Sequence, residues 1–157
     1  MTSERYPMFS VPSSWVPTPV SQLPDWRDAR QVAIDCETYD PQLKKLGPGV
    51  RRGGKVVGVA VAIKDGPAFY LPIAHETGPN QPEALDYLRD QAREFTGTLV
   101  NANLSYDLDF LAEAGVDFPR VAWFRDVLIA DPLINQHEWS YSLDNVAGRW
   151  LPGRGKK

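Results

Sequence analysis

Residues 32–38 read Val32-Ala33-Ile34-Asp35-Cys36-Glu37-Thr38, an apolar, β-prone run that closes on two acids. Side chains two apart on a strand point to the same face, so Asp35 and Glu37 are expected side by side near the strand's end. Two adjacent carboxylates repel each other, and burying them is costly unless a cation neutralises them. Their hard oxygens suit Mg²⁺ or Mn²⁺ rather than zinc. Acids at a strand end also serve as solvated caps, so the pair alone leaves both uses open. Cys36, between them, is expected to face the opposite way, into the core.

Working outward, residues 47–55 (GPGVRRGGK) carry strong turn signals. Residues 56–63 (VVGVAVAI) read as a buried strand, Lys64-Asp65-Gly66 as a hairpin turn, and residues 68–73 as the partner strand. Pro82 suits the first turn of a helix on which Leu85, Leu88, Ala92 and Phe95 recur at helical spacing. A short strand is expected at 99–102, a helix over 105–114 stopped by Gly115, and another strand at 121–124. Asp126 is placed to cap a helix over 127–136 (VLIADPLINQ), and a last helix is expected over 142–150. Hairpin strands first, then strands alternating with helices, imply an α/β fold with one mixed sheet flanked by helices.

Upstream of the acids, Pro7, Pro12, Pro17, Pro19 and Pro24 fall within residues 1–30, in a chain with 14 prolines among 157 residues. Proline fixes φ and removes a ladder donor, so this segment is expected to run as an extended arm pinned by Trp15 and Trp26. Residues 31–157 then form one domain, and the chain is long enough to bury a core of its own. Seventeen Lys and Arg against twenty Asp and Glu give a net charge of −3, which excludes a protein that holds nucleic acid by bulk positive charge. A single cysteine excludes a disulfide framework and suits a reducing compartment. No stretch approaches the roughly 18 apolar residues of a membrane span, and the N-terminus has no signal-peptide core, so no membrane partner is expected.

The second informative element is Asn103-Leu104-Ser105-Tyr106-Asp107, just after the short strand. It puts a third acid at the start of a helix, where the chain turns back toward the sheet. Taken alone, Asn103 or Ser105 reads as the helix N-cap and Asp107 as an acid favoured by the helix dipole.

The ordered combination of Asp35-Cys36-Glu37, a hairpin, a helix, a strand and then Asn103-Leu104-Ser105-Tyr106-Asp107 resembles the 3′–5′ exonucleases of the DEDD class. The likeness is to the proofreading domain of family A, polymerase I type, DNA polymerases, especially those of phages. It extends to VVGVAVAI and AFYLPIAH, and to RDVLIADPLI and YSLDNVAGRWL, covering roughly residues 31–151. The resemblance implies a ribonuclease H-like fold and hydrolysis of the 3′-terminal phosphodiester of single-stranded DNA. It implies that Asp35, Glu37 and Asp107 hold two divalent ions, Mg²⁺ or Mn²⁺, which clamp the attacking and leaving oxygens. It further implies that the backbone at Thr38 approaches the terminal nucleotide, and that Asn103 and Tyr106 position phosphate or sugar. A downstream polymerase domain and a cytoplasmic setting (the host's, for a virus) are expected with it.

One part of the family pattern is missing. A fourth acid belongs to a Tyr-x-x-x-Asp or His-x-x-x-x-Asp motif on a helix after the SLD segment. Here Tyr141 precedes Asp144 at spacing three, and Ser142 stands five positions after His137. On this reading the fold is C-terminally incomplete, and the third motif lies beyond Lys157. Two other readings stand beside the first: an inactive nucleic-acid-binding module of the same fold, and a stand-alone exoribonuclease. The basic runs at 51–55 and 149–157 are either contacts for a nucleic-acid backbone or solvated surface charge.

Overall fold

The structure, a computed structural model, describes residues 15–151 and 153. Pro7 and Pro12 of the arm, and most of the basic tail, lie outside the described residues. Five strands form one sheet in the order β3-β2-β1-β4-β5. They are β1 (Gln31–Tyr39), β2 (Lys55–Ile63), β3 (Ala68–Pro72), β4 (Thr98–Asn101) and β5 (Trp123–Asp126). β1 pairs antiparallel with β2 and parallel with β4, so the expected mixed sheet is present with β1 at its centre.

Alternation along β1 sorts its side chains. Val32 and Ile34 are buried, whereas Ala33 and Asp35 are exposed on the opposite face. Val59 and Val61 of β2 and Leu71 of β3 extend the same apolar layer. Against it pack α2 (Ala84–Glu94), through Ala84, Leu88 and Ala92, and α3 (Leu104–Glu113), through Phe110 and Leu111. The β1–β2 register slips between Glu37 and Thr38, where Val57 is the extra residue of a bulge. Its carbonyl accepts from both Ile73 and Ala74, at 2.9 Å each. Bulges of this kind re-aim side chains beside functional sites.

The arm is part of this core. Trp26 is buried, with its ring 5.3 Å from Phe95 and 6.5 Å from Phe118, and its backbone N–H donates to Gln91 Oε1 at 2.8 Å. The Tyr87 hydroxyl donates to the Pro24 carbonyl at 2.6 Å. Trp15 is half-buried, 6.2 Å from Tyr70. Gly97 lets the arm run close to β4, since a Cβ there would stand 2.2 Å from the Ala29 carbonyl oxygen.

Three local expectations are corrected. The turn-rich segment after β1 holds a short helix, α1 (Leu43–Leu46), and a 3₁₀ turn at Val50–Arg52. The last strand sits two residues later than its apolar run, because parallel pairing with β4 sets its register from Thr98↔Trp123 to Asn101↔Asp126. As an edge strand it leaves Trp123 and Phe124 exposed. The helix after Asp126, α4 (Val127–Ile134), stops before Asn135 and pairs with α5 (Leu143–Trp150). Asp131 fastens that pair: it is buried, accepts from Trp150 Nε1 at 2.5 Å, and bonds the Arg149 guanidinium. The Trp150 indole foremost, and then Arg149, hold its carboxyl below the ordinary range. Among the described residues no helix is long and apolar enough to cross a membrane.

The buried arm tryptophan yields a stability test. Trp26→Ala is expected to cost about 3–5 kcal/mol, through lost transfer free energy and the cavity left behind. The readout is a lower denaturant midpoint at unchanged m-value. A loss below ~1 kcal/mol would show that the arm is not part of the cooperative core.

Candidate active site

β1 and β4 lie side by side and parallel, but the chain leaves β1 toward β2 and leaves β4 toward β5. Open α/β sheets hold ligands in the crevice at the carboxyl ends of two such strands. The β1–β4 ladder runs only from Gln31↔Thr98 to Ala33↔Val100, so the strands part before Asp35. Asp107, in the first turn of α3, fills the gap. Its Oδ1 accepts the Cys36 backbone N–H at 2.9 Å and its Oδ2 accepts Asn101 Nδ2 at 2.6 Å. Asn101 is itself held, its Oδ1 accepting the Ala102 N–H at 2.7 Å. A helix acid is thereby fixed against the backbone between Asp35 and Glu37.

The electrostatics follow from burial. Asp107 is 3% exposed, and its pKa is pushed up to about 6, chiefly by desolvation. The Cys36 amide pulls the other way, and the Asp35 charge raises it further. Asp35 is exposed and Glu37 half-buried. The Cys36 amide and the Asn101 side chain are neutral donors, so dipoles solvate its charge, and among the described residues no cation forms an ion pair with it. The Cys36 thiol is also pushed up, by burial first and then by Asp107, which keeps it protonated and poorly nucleophilic.

These observations suit a hard divalent cation, which would relieve both the desolvation of Asp107 and its repulsion by Asp35. Among the described residues, no three His, Cys, Asp or Glu side chains converge tightly enough to enclose an ion by themselves. Mg²⁺ commonly binds through one or two carboxylates and completes its shell with water and substrate phosphate oxygens.

The remaining expected residues are Thr38, Tyr106 and Asn103. Thr38 Oγ1 and the Tyr106 hydroxyl are 2.7 Å apart, and the Tyr106 ring lies 4.8 Å from Phe110. Asn103 does not cap α3 with its side chain, and neither does Ser105; Asn103 adopts the left-handed conformation (φ 62°) instead. The cap comes from Asp126, which accepts from Asn103 N at 3.1 Å and Leu104 N at 2.8 Å. The same carboxylate caps α4, accepting Leu128 N at 2.8 Å. Asn103 is exposed.

Two contributors were not visible in the sequence. Asn101 gives no periodic or motif signal, and its role emerges only from its bond to Asp107. The second is the Tyr70–His75 pair, 2.5 Å apart between hydroxyl and Nε2. Gly58, opposite Glu37 in the ladder, makes room for it, since a Cβ there would meet the Tyr70 hydroxyl at 1.8 Å. Burial, and after it the Glu37 charge, pushes the Tyr70 hydroxyl up to about 12. Between this pair and Asn101 runs an open groove of about 520 Å³ over Ala33, Ala60, Ala62 and Ala68, with Asp35 among its walls.

No protein-family model matches the chain. A DNA-directed DNA polymerase of Pseudomonas phage M6 is 55% identical over 149 residues, which cover 92% of this chain and 22% of that protein. The chain is a relative of phage DNA polymerases. It spans about a fifth of the length of that polymerase. Brucella melitensis NrnC with bound Mg²⁺ superposes at TM-score 0.55 and 25% identity, over 82% of this chain and 58% of NrnC. Pol1 of M. smegmatis, in complex with DNA primer-template and dNTP, superposes at TM-score 0.51 over 78% of this chain and 19% of Pol1. At 17% identity the Pol1 match speaks for the fold alone. Together they show a domain similar in sequence to part of a phage DNA polymerase, with an α/β fold shared with NrnC.

The raised Asp107 pKa gives this domain a pH signature without metal. Its folded pKa of about 6 lies above the unfolded value of 3.8, so the folded state binds the extra proton. The group's contribution to stability is fully present at low pH and falls as pH rises through about 6. At ~1.4 kcal/mol per pKa unit, the loss is about 2–3 kcal/mol by neutral pH. NMR titration of the Asp107 carboxyl should report the raised midpoint, and Asp35→Asn should lower it. A midpoint indifferent to Asp35→Asn would show the two carboxylates to be electrically independent.

Proposed function

We propose that this domain is a 3′–5′ exonuclease that removes nucleotides from the 3′ end of single-stranded DNA, as the proofreading part of a DNA polymerase. The observation that carries the reading is Asp107, buried at the β1–β4 switch point and bonded to the strand that bears Asp35 and Glu37. Its relation to a phage DNA polymerase supports the setting, and the Mg²⁺ bound by NrnC supports divalent-metal use.

In this reading Asp35, Glu37 and Asp107 hold two divalent ions, Mg²⁺ or Mn²⁺. When bound, such ions supply a hydroxide from coordinated water and neutralise charge on the departing 3′-oxygen. The chain's own residues do the positioning. Asn101 and the Cys36 amide keep both Asp107 oxygens aimed, so the carboxylate meets an incoming cation without a rotamer search. Tyr106, pinned through Thr38, presents a fixed hydroxyl edge toward phosphate or sugar, while the exposed Asn103 amide offers donors beside it. These contacts fix register without reading a base, as removal of any mispaired nucleotide requires.

The test is Mg²⁺- or Mn²⁺-dependent release of nucleotides from a 3′-labelled single strand, run beside a matched RNA. Asp35→Ala is expected to lower the rate by more than ~100-fold, beyond the loss caused by removing an outer-shell partner. Mn²⁺ binding, followed by the EPR signal of the free ion, should weaken in Asp107→Asn. Cleavage indifferent to Asp35→Ala sinks the ligand assignment, and faster hydrolysis of RNA moves the reading to an exoribonuclease.

A further inference from the structure

The segment that leaves β1 just beyond the acids is the most cationic part of the chain. Residues 41–55 contain Lys44, Lys45, Arg51, Arg52 and Lys55 and no acid, a charge of +5 in a chain whose total is −3. The remaining residues therefore carry −8. All five cations are exposed, and among the described residues none is in an ion pair. A solvated loop has no need to be built, yet this one is.

Asp40 accepts Gly49 N at 2.6 Å and Gln42 N at 3.3 Å, which closes the loop at its base. The Arg52 guanidinium donates to the carbonyls of Leu46, Gly47 and Pro48 at 2.9–3.1 Å and locks α1 to the 3₁₀ turn. Val50 packs onto the core, and the 3₁₀ turn lies against α3, the helix that supplies Asp107. Lys55 pairs across the ladder with Tyr39, and its ammonium stands 5.9 Å from the centre of the exposed Tyr39 ring. Tyr39 is two residues, roughly 7 Å, along the strand from Glu37.

We infer that this α1–3₁₀ platform is a binding surface for the phosphate backbone of the single strand whose 3′ end enters the acidic notch. Lys44, Lys45, Arg51 and Lys55 meet phosphates upstream of the terminal nucleotide, and the exposed part of the Tyr39 ring meets an unpaired base. Arg52 is the brace that holds the others in place. The platform solves a problem created by the site: a cluster of acids repels the polyanion it must receive, and fixed cations beside it offset that repulsion. Positive grooves with aromatic faces bind single strands in this way, independent of sequence. The inference rests on the nuclease reading for the direction of the strand, and the experiment separates the two.

The probe is a fluorescent 15-mer of deoxythymidylate bound to the chain in EDTA, with affinity read by anisotropy across a salt series. Lys44→Ala/Lys45→Ala/Arg51→Ala should reduce the salt slope by about 2, because each phosphate contact on a single strand contributes ~0.7. At roughly 50 mM salt that corresponds to a loss of affinity on the order of 100-fold. A charge-matched variant elsewhere, Lys64→Ala/Arg93→Ala/Arg120→Ala, should keep both slope and affinity, and circular dichroism checks that each variant is folded. Equal losses in the two triple variants, unchanged binding in the platform variant, or no binding by the wild type overturns the platform. Tighter binding of a blunt duplex than of the strand overturns its assignment to single strands. None of these outcomes touches the nuclease reading, which falls on cleavage indifferent to Asp35→Ala; platform-dependent binding leaves the platform standing whichever way that cleavage test turns out.

Discussion

The hydrogen bond from the Cys36 backbone N–H to Asp107 is the constraint on which the rest of the site depends. It exists because the parallel ladder between β1 and β4 ends at Ala33 and Val100, leaving the carboxyl end of β1 without a partner strand on that side. A buried amide without an acceptor is costly, so the notch demands an oxygen. A carboxylate supplies it more strongly than a neutral group, and doing so carries a charge into the interior. The stabilising bond and the raised pKa of Asp107 are two consequences of one placement.

That placement is carried by the helix end, and the helix end by Asp126. One carboxylate at the end of β5 takes up orphan amides of both α3 and α4. The edge strand, the helix bearing the buried acid and the first helix of the C-terminal pair therefore meet at a single side chain. Helix N-termini favour an anion on account of both their free N–H groups and their dipole. The left-handed Asn103 is the geometric result, since it turns the chain sharply enough to bring both amides onto Asp126. A short edge strand with exposed aromatic residues is tolerated because its last residue does this.

The opposing charges of the site are segregated by topology. Asp107 bonds the backbone of β1 between Asp35 and Glu37, where β1 and β4 diverge, and the cations of residues 41–55 lie on the loop that β1 enters next. In the proposed nuclease reading, the acids would repel the polyanion they receive, and the cations would offset that repulsion. Repulsion near the notch is short-ranged at physiological salt, where screening sets in within about 8 Å, so compensation has to stand close by. The bulge at Val57 and the missing side chain of Gly58 serve the same region, making space for Tyr70 and His75 beside Glu37.

Sequence alone was sufficient for the mixed α/β sheet, the helices that cover it and the pairing of Asp35 with Glu37 on one face. Those features follow from periodicities of two and 3.6 residues and from local turn chemistry, all of which are written along the chain. The place of Asp107 in the first turn of a helix was legible too, as was Asp126 as the cap of the helix it precedes. Tertiary structure decided what the side chains do across long separations. It gave the α3 cap to Asp126 rather than Asn103 or Ser105, moved the edge strand onto Arg125 and Asp126, and made Asn101 the partner of Asp107. It also turned a glycine- and arginine-rich loop into a braced cationic platform. The physical reason is the same in each case: burial and backbone pairing choose among the oxygens and amides on offer, and that choice depends on neighbours that local sequence does not specify.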